Sequence, residues 1–215
     1  MHLPPRPSSI TPTIAARTRE LHQLAWPDSP SAEVIPNLSA WLPGDILVMS
    51  TLSPTSAVRV YQARQSDKQI KKYADWTHCA VYIGHGLMVD TMPKNGARVR
   101  RVFPETSRRT IAVRRPDPSQ FTDEEALNIA EIATAMEDIP YTSYLRLGLG
   151  NGFTSTGANG LPKELYCSSL VFWAADQAGV PLTIAPNYAA ESLPACLMFH
   201  PNLVDIDAAW HPPAL

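Results

Sequence analysis

Two apolar runs, Thr77–Ile83 and Leu87–Met92, flank the tripeptide Gly84-His85-Gly86, and this arrangement constrains the fold more than any other stretch of the chain. Glycine on both sides of a single residue supplies the backbone freedom of a tight reversal, so the segment reads as a β-hairpin. Further strands are expected at Ile46–Met49, launched by the turn Leu42-Pro43-Gly44-Asp45, and at Ala97–Val102 and Thr110–Arg114.

The second half changes character. Thr122-Asp123-Glu124-Glu125 has the form of a capping box, and Leu127, Ile129, Ile132, Ala133 and Met136 make an apolar stripe behind it. That helix is expected to end near Asp138, before Pro140. A second, buried helix is expected over Cys167–Gln177, with Leu170, Val171, Ala174 and Ala178 in its period and Gly179 as its stop. Shorter helices are expected at Ile14–Trp26, Ser56–Arg64 and Ser192–Met198. Mostly strands followed by mostly helices give an α+β class.

The 215 residues suit one domain with a decorated core, and 45% apolar residues suffice to bury it. The reading is an N-terminal arm and short helix over 1–40, a single domain over 41–205 and an irregular tail over 206–215. Twenty-one prolines, about twice the usual share, point to long irregular connections. A net charge of −2 gives no positive field for nucleic acid or an anionic membrane surface. No run approaches a membrane span, and the N-terminus lacks the apolar core of a secretory signal. A chain made soluble in the cytoplasm is therefore expected. Cysteines at 79, 167 and 196 are odd in number and irregular in spacing, so they form no disulfide framework.

Cys167 stands at a helix start. Unpaired backbone N–H groups and the positive end of the helix dipole favour a thiolate there, and the same groups can bind an oxyanion. A buried structural cysteine is the competing explanation, and position alone leaves the two level. His78 lies within an apolar strand, where a histidine usually serves packing. If Gly84-His85-Gly86 is a three-residue loop, residue 80 faces 90, and His78 and Asp90 become diagonal neighbours about 7–8 Å apart at the backbone. A carboxylate there would fix the imidazole tautomer and leave its other nitrogen for a thiol. A two-residue loop would send Asp90 to the wrong face. A zinc site from His78, Cys79, His85 and Cys167 is disfavoured, because adjacent strand residues point to opposite faces.

Gly44-Asp45-Ile46, Trp76-Thr77-His78-Cys79-Ala80-Val81-Tyr82-Ile83-Gly84, Val89-Asp90 and Tyr166-Cys167-Ser168-Ser169-Leu170-Val171 follow one another in an order that resembles circularly permuted NlpC-type cysteine peptidases. This branch includes YiiX/YebB-like and lecithin-retinol-acyltransferase-like proteins, and in it the histidine strand precedes the cysteine helix. Pro140-Tyr141, and Ser192-Leu193-Pro194 through Pro201-Asn202-Leu203, resemble two further family segments. The resemblance spans roughly 43–205. It departs from the family in having Asp90 where Glu is commoner, and Ser-Ser-Leu after the cysteine where Ser-Glu-Leu is usual.

The resemblance implies a permuted papain-like fold, a central antiparallel sheet packed on the nucleophile-bearing helix. It implies Cys167 as nucleophile, His78 as base and Asp90 as its orienter, with no metal and no cofactor. Tyr166, Tyr141 and Trp76 are candidates for the oxyanion site or substrate groove, with ordinary packing as the alternative for each. The implied substrate is an amide in peptidoglycan stem peptides. A cell-wall enzyme without a secretory signal suggests an effector carried out by a secretion machine, with a delivery or immunity protein as partner. An acyltransferase or lipid/thioester hydrolase of the same fold, and a non-catalytic binding module, are the alternatives.

Overall fold

The computed structural model describes residues 35–36, 38–51, 53–102, 109–142, 156–157, 160–182, 192–206 and 210–211. The arm over 1–12 and the helix expected at 14–26 lie outside the described residues. In chain order come β1 (Ile35–Pro36), a 3-10 turn (Leu38–Ala40), β2 (Ile46–Ser50), α1 (Ala57–Ala63), α2 (Lys68–Lys72), β3 (Trp76–Gly84), β4 (Leu87–Met92), β5 (Gly96–Arg101) and β6 (Ile111–Pro116). They are followed by α3 (Asp123–Ala135), α4 (Cys167–Ala178), α5 (Pro194–Leu197), β7 (Leu203–Ile206) and β8 (Trp210–His211). The fold is α+β, as the sequence implies. Its main sheet has six antiparallel strands in the order β5-β4-β3-β2-β6-β7.

Alternation along the strands gives the sheet two apolar faces. Ile46, Val48, Cys79, Val81 and Val89 meet Ile129, Ala133, Leu170, Val171 and Ala174 of α3 and α4, which makes the larger core. On the opposite face Leu47, Met49, Ala80, Tyr82, Met88, Ile111 and Val113 form a smaller cluster with Trp41, whose ring meets Tyr82 edge-on at 5.5 Å.

Both long helices carry the signals read from the sequence. Thr122 and Glu125 form the reciprocal capping box of α3. Gly179 closes α4 in the left-handed conformation at φ 91°. The first helix stops at Ala135, earlier than expected, and a turn ends it with Asp138 at φ 74°. Among the described residues no helix is long and apolar enough to cross a membrane.

The C-terminal expectation needs correcting. Within the irregular tail expected over 206–215, Trp210–His211 pairs with Ile35–Pro36, and just before it Leu203–Ile206 forms β7, pairing with β6. Residues 35–36, from the segment expected as arm and short helix over 1–40, and two residues of the tail therefore join in a small two-stranded sheet.

The turn before β2 anchors the sheet. Asp45 accepts from Leu42 N–H at 2.8 Å and from Arg115 of β6 at 2.7 and 2.8 Å. Gly44 beside it has φ 95°, and a Cβ there would stand 1.9 Å from the Ala126 carbonyl oxygen of α3. Only glycine allows helix and turn to approach so closely.

Candidate active site

The β3–β4 hairpin sets the geometry, by a route that differs from the expected loop. Its turn has two residues, His85 and Gly86, with Gly84 paired to Leu87. His85 and Gly86 both have positive φ, 53° and 73°, as a tight primed turn requires. The Gly86 N–H donates to the Tyr82 hydroxyl at 3.1 Å. A bulge between Tyr82 and Gly84 inserts Ile83 as an extra residue and restores the parity that a two-residue turn would have lost. Val81 pairs with Val89, so one step further Ala80 lies beside Asp90 and His78 is its diagonal neighbour.

His78 Nε2 lies 2.8 Å from Asp90 Oδ2. Both residues are buried, Asp90 completely. An ionised carboxylate can only accept, so Nε2 carries the hydrogen and Nδ1 is left for the thiol. Asp90 has a second partner that the sequence reading missed. Arg100 of β5 donates from Nε to Oδ1 at 2.9 Å and from its terminal nitrogen to Oδ2 at 2.5 Å. Burial pushes the Asp90 carboxyl up, but bonds from His78 and Arg100 and their charges bring it below the usual carboxylate range.

Cys167 is the first residue of α4, whose opening N–H groups have no intrahelical acceptor. Around it the Ser169 hydroxyl accepts from Tyr166 N–H and donates to Tyr166 C=O, both at 2.9 Å. The Ser168 hydroxyl donates to the Ser192 carbonyl at 2.5 Å. Ser168 thus ties the start of α4 to the segment that leads into α5, while Ser169 closes the turn on Tyr166.

The thiol interacts with three groups of β3. A hydrogen bond from the Cys79 side chain lowers the Cys167 pKa most; burial opposes it, and the charge and hydrogen bond of His78 and the Cys79 backbone N–H lower it further. The net position is well below an ordinary thiol. For His78, burial disfavours the imidazolium, but the Cys167 charge and the bonds to Asp90 and Cys167 outweigh it and raise the pKa to about 9. Burial and the neighbouring Cys167 push the Cys79 thiol up, which keeps it a neutral donor. A Cys167 thiolate facing a His78 imidazolium is the form these shifts favour together.

The expectation that adjacent His78 and Cys79 diverge holds for their pairing only. His78 pairs with Met49 and Cys79 with Val48, on opposite faces, yet both engage Cys167. Thr77 is an extra residue on β3 between the pairs Ser50–Trp76 and Met49–His78. Such a bulge sharpens the strand twist and re-aims the side chains beside it. Among the described residues no group of three His, Cys, Asp or Glu side chains could hold a metal ion. Cys79, Cys167 and Cys196 are in no disulfide.

The remaining candidates surround this centre. Tyr166 precedes Cys167 and is buried, and its hydroxyl pairs with Ser192 Oγ at 2.5 Å, so its polar tip is tied to the segment before α5. Tyr141 forms a parallel bridge with Leu165, two residues before the cysteine. Burial, then the nearby Cys167 charge, raises the Tyr141 pKa, which sets this half-buried ring within reach of the thiol's field. Trp76 opens β3 two residues ahead of His78, packed half-buried against the larger core. Its carbonyl accepts from Gln62 Nε2 at 2.9 Å. Gln62 also donates to the Ala74 carbonyl and accepts from the Ala195 N–H, joining α1, the approach to β3 and α5. Nothing in the sequence singles this glutamine out. No family model matches the chain, and no curated protein gives a significant match.

Proposed function

We propose that the chain is a thiol hydrolase of permuted papain-like fold, cleaving amide bonds with Cys167 as nucleophile, His78 as general acid and base, and Asp90 as the group that orients His78. The observation that carries this reading is one chain of contacts. Asp90 holds His78 through Nε2 at 2.8 Å, and His78 in turn engages a Cys167 whose pKa is well below that of an ordinary thiol. Structural buried cysteines lack such a partner and stay protonated. The fold is consistent: the histidine strand comes before the cysteine helix, and α4 packs on the sheet through β3.

In this mechanism the Cys167 thiolate attacks the carbonyl carbon, and the oxyanion is met by N–H groups at the start of α4. The imidazolium gives its Nδ1 proton to the leaving amine as the C–N bond breaks, which leaves a thioester on Cys167. Neutral Nδ1 then takes a proton from water, whose oxygen attacks the thioester. The acid departs, and thiolate and imidazolium are restored.

The resemblance of the His78 and Cys167 segments to NlpC-type peptidases favours peptidoglycan stem peptides as substrate. That choice would set the site of action in the cell wall. The test is mass spectrometry of peptidoglycan fragments, with acyl esters in parallel, treated with the native chain and with Cys167→Ala. New free amine and carboxyl termini made only by the native chain are expected. Release of fatty acid without any peptide cleavage would transfer the assignment to an acyl hydrolase.

A further inference from the structure

A carboxylate held by one imidazole alone can rotate away from the ring, and the tautomer it fixes is lost with the contact. Asp90 is fully buried, with no solvent to steady its oxygens. Arg100 steadies them. A guanidinium is never deprotonated at ordinary pH, and its fork spans both carboxylate oxygens, Oδ1 at 2.9 Å and Oδ2 at 2.5 Å. Oδ2 is shared with His78 Nε2, so the three groups form one chain across β3, β4 and β5. The strand register makes this possible. Asp90 is paired with Arg98 and reaches Arg100 on the diagonal, as it reaches His78 on the other side. Arg98 itself turns to the Ala97 carbonyl and to Asp138.

We propose that Arg100 is a positioning residue for His78: it clamps the Asp90 carboxylate as an anion in one orientation, so that Nε2 keeps its hydrogen while Nδ1 gives and takes the proton. This rests on the reading of Cys167, His78 and Asp90 given above. The charged and titratable groups around the ring are Cys167 from α4, Cys79 on its own strand, Asp90 from β4 and Arg100 from β5, with Tyr141 and Tyr166 beyond the thiol. Arg100 offsets part of the negative charge that holds the imidazolium. Its removal therefore raises the His78 pKa, and it frees the carboxylate to rotate.

The test is nitrogen-15 NMR of the His78 ring against pH in the full chain, in Arg100→Gln and in Arg100→Lys, with His78→Gln for assignment. The native ring is expected to titrate near pH 9 and, once neutral, to keep its hydrogen on Nε2 alone. Arg100→Gln should raise that pKa by about one unit and mix the two neutral tautomers. Arg100→Lys, a point charge without a fork, should leave the pKa near the native value and still mix the tautomers. A native pKa and a single tautomer in Arg100→Gln overturn the proposal. Should that variant not fold, Arg100→Lys decides: mixed tautomers support the clamp, and a single Nε2–H tautomer overturns it. A native ring titrating near the ordinary 6.5 overturns the Cys167–His78 reading as well.

Discussion

His78 reaches Asp90 diagonally across the β3–β4 hairpin, with Nε2 2.8 Å from Oδ2, and a bulged residue in β3 makes that diagonal possible. Without the extra residue at Ile83, the two-residue turn would put the carboxylate on the opposite face. The tautomer follows from the contact: hydrogen on Nε2, and Nδ1 toward the thiol.

Asp90→Asn tests the contact. An amide can present its NH2 to Nε2, which then has no hydrogen to give, and the ring takes the unproductive tautomer. Turnover on an amide substrate is expected to fall on the order of 10²–10⁴-fold with the fold intact by circular dichroism. Turnover above half the native value would remove Asp90 from the mechanism.

The basic limit of the proposed activity is set by His78. Its pKa is raised from 6.5 to about 9, so the imidazolium persists through neutral pH and disappears as pH rises through about 9. In the proposed mechanism the general acid for amine departure goes with it. Acylation rates are expected to hold to near pH 9 and then fall about tenfold per pH unit. A basic limb centred near pH 7 would contradict the raised pKa.

Gly44→Ala is expected to destabilise the fold by about 3 kcal/mol or more, because a left-handed backbone and a clash with another element's backbone act together. The added Cβ would lie 1.9 Å from the Ala126 carbonyl oxygen, so α3 must shift from the turn. Thermal melting should show a loss of about 10 °C for a chain of this size.

Tyr166 and Ser192 share a buried 2.5 Å hydroxyl contact that ties the start of α4 to the segment before α5. Tyr166→Phe and Ser192→Ala should each cost about 1 kcal/mol, since each leaves a buried hydroxyl without this partner. The double variant should cost less than the sum by about 0.5 kcal/mol or more in chemical denaturation. Strict additivity would mean that the contact contributes nothing.

Much of this arrangement could be read from the sequence where the signal is local. The hairpin, the Thr122–Glu125 capping box, the Cys167 helix and its Gly179 stop each rest on residues a few positions apart. What escaped depends on partners distant in sequence. Leu203–Ile206 is four residues long and becomes a strand only because β6 offers an edge. Arg100 lies in Arg98-Val99-Arg100-Arg101, which looks like an ordinary solvated charged face until the β4–β5 register brings it to Asp90. That His78 and Cys79, on opposite faces by their pairing, both engage Cys167 was not legible either, because the Thr77 bulge beside them is invisible in residue alternation. The His78–Asp90 pair itself was legible, although the turn that achieves it was not the one expected.

The most direct test is the pH dependence of Cys167 alkylation by iodoacetamide, followed by peptide mapping to separate it from Cys79 and Cys196. Cys167 is expected to react at pH about 6 nearly as fast as at neutral pH, since its thiolate is already formed, and His78→Ala should abolish that reactivity. A native Cys167 whose alkylation begins only near the ordinary thiol pKa, about 8.5, and proceeds unchanged in His78→Ala, would contradict the thiolate–imidazolium pair and the nucleophile with it.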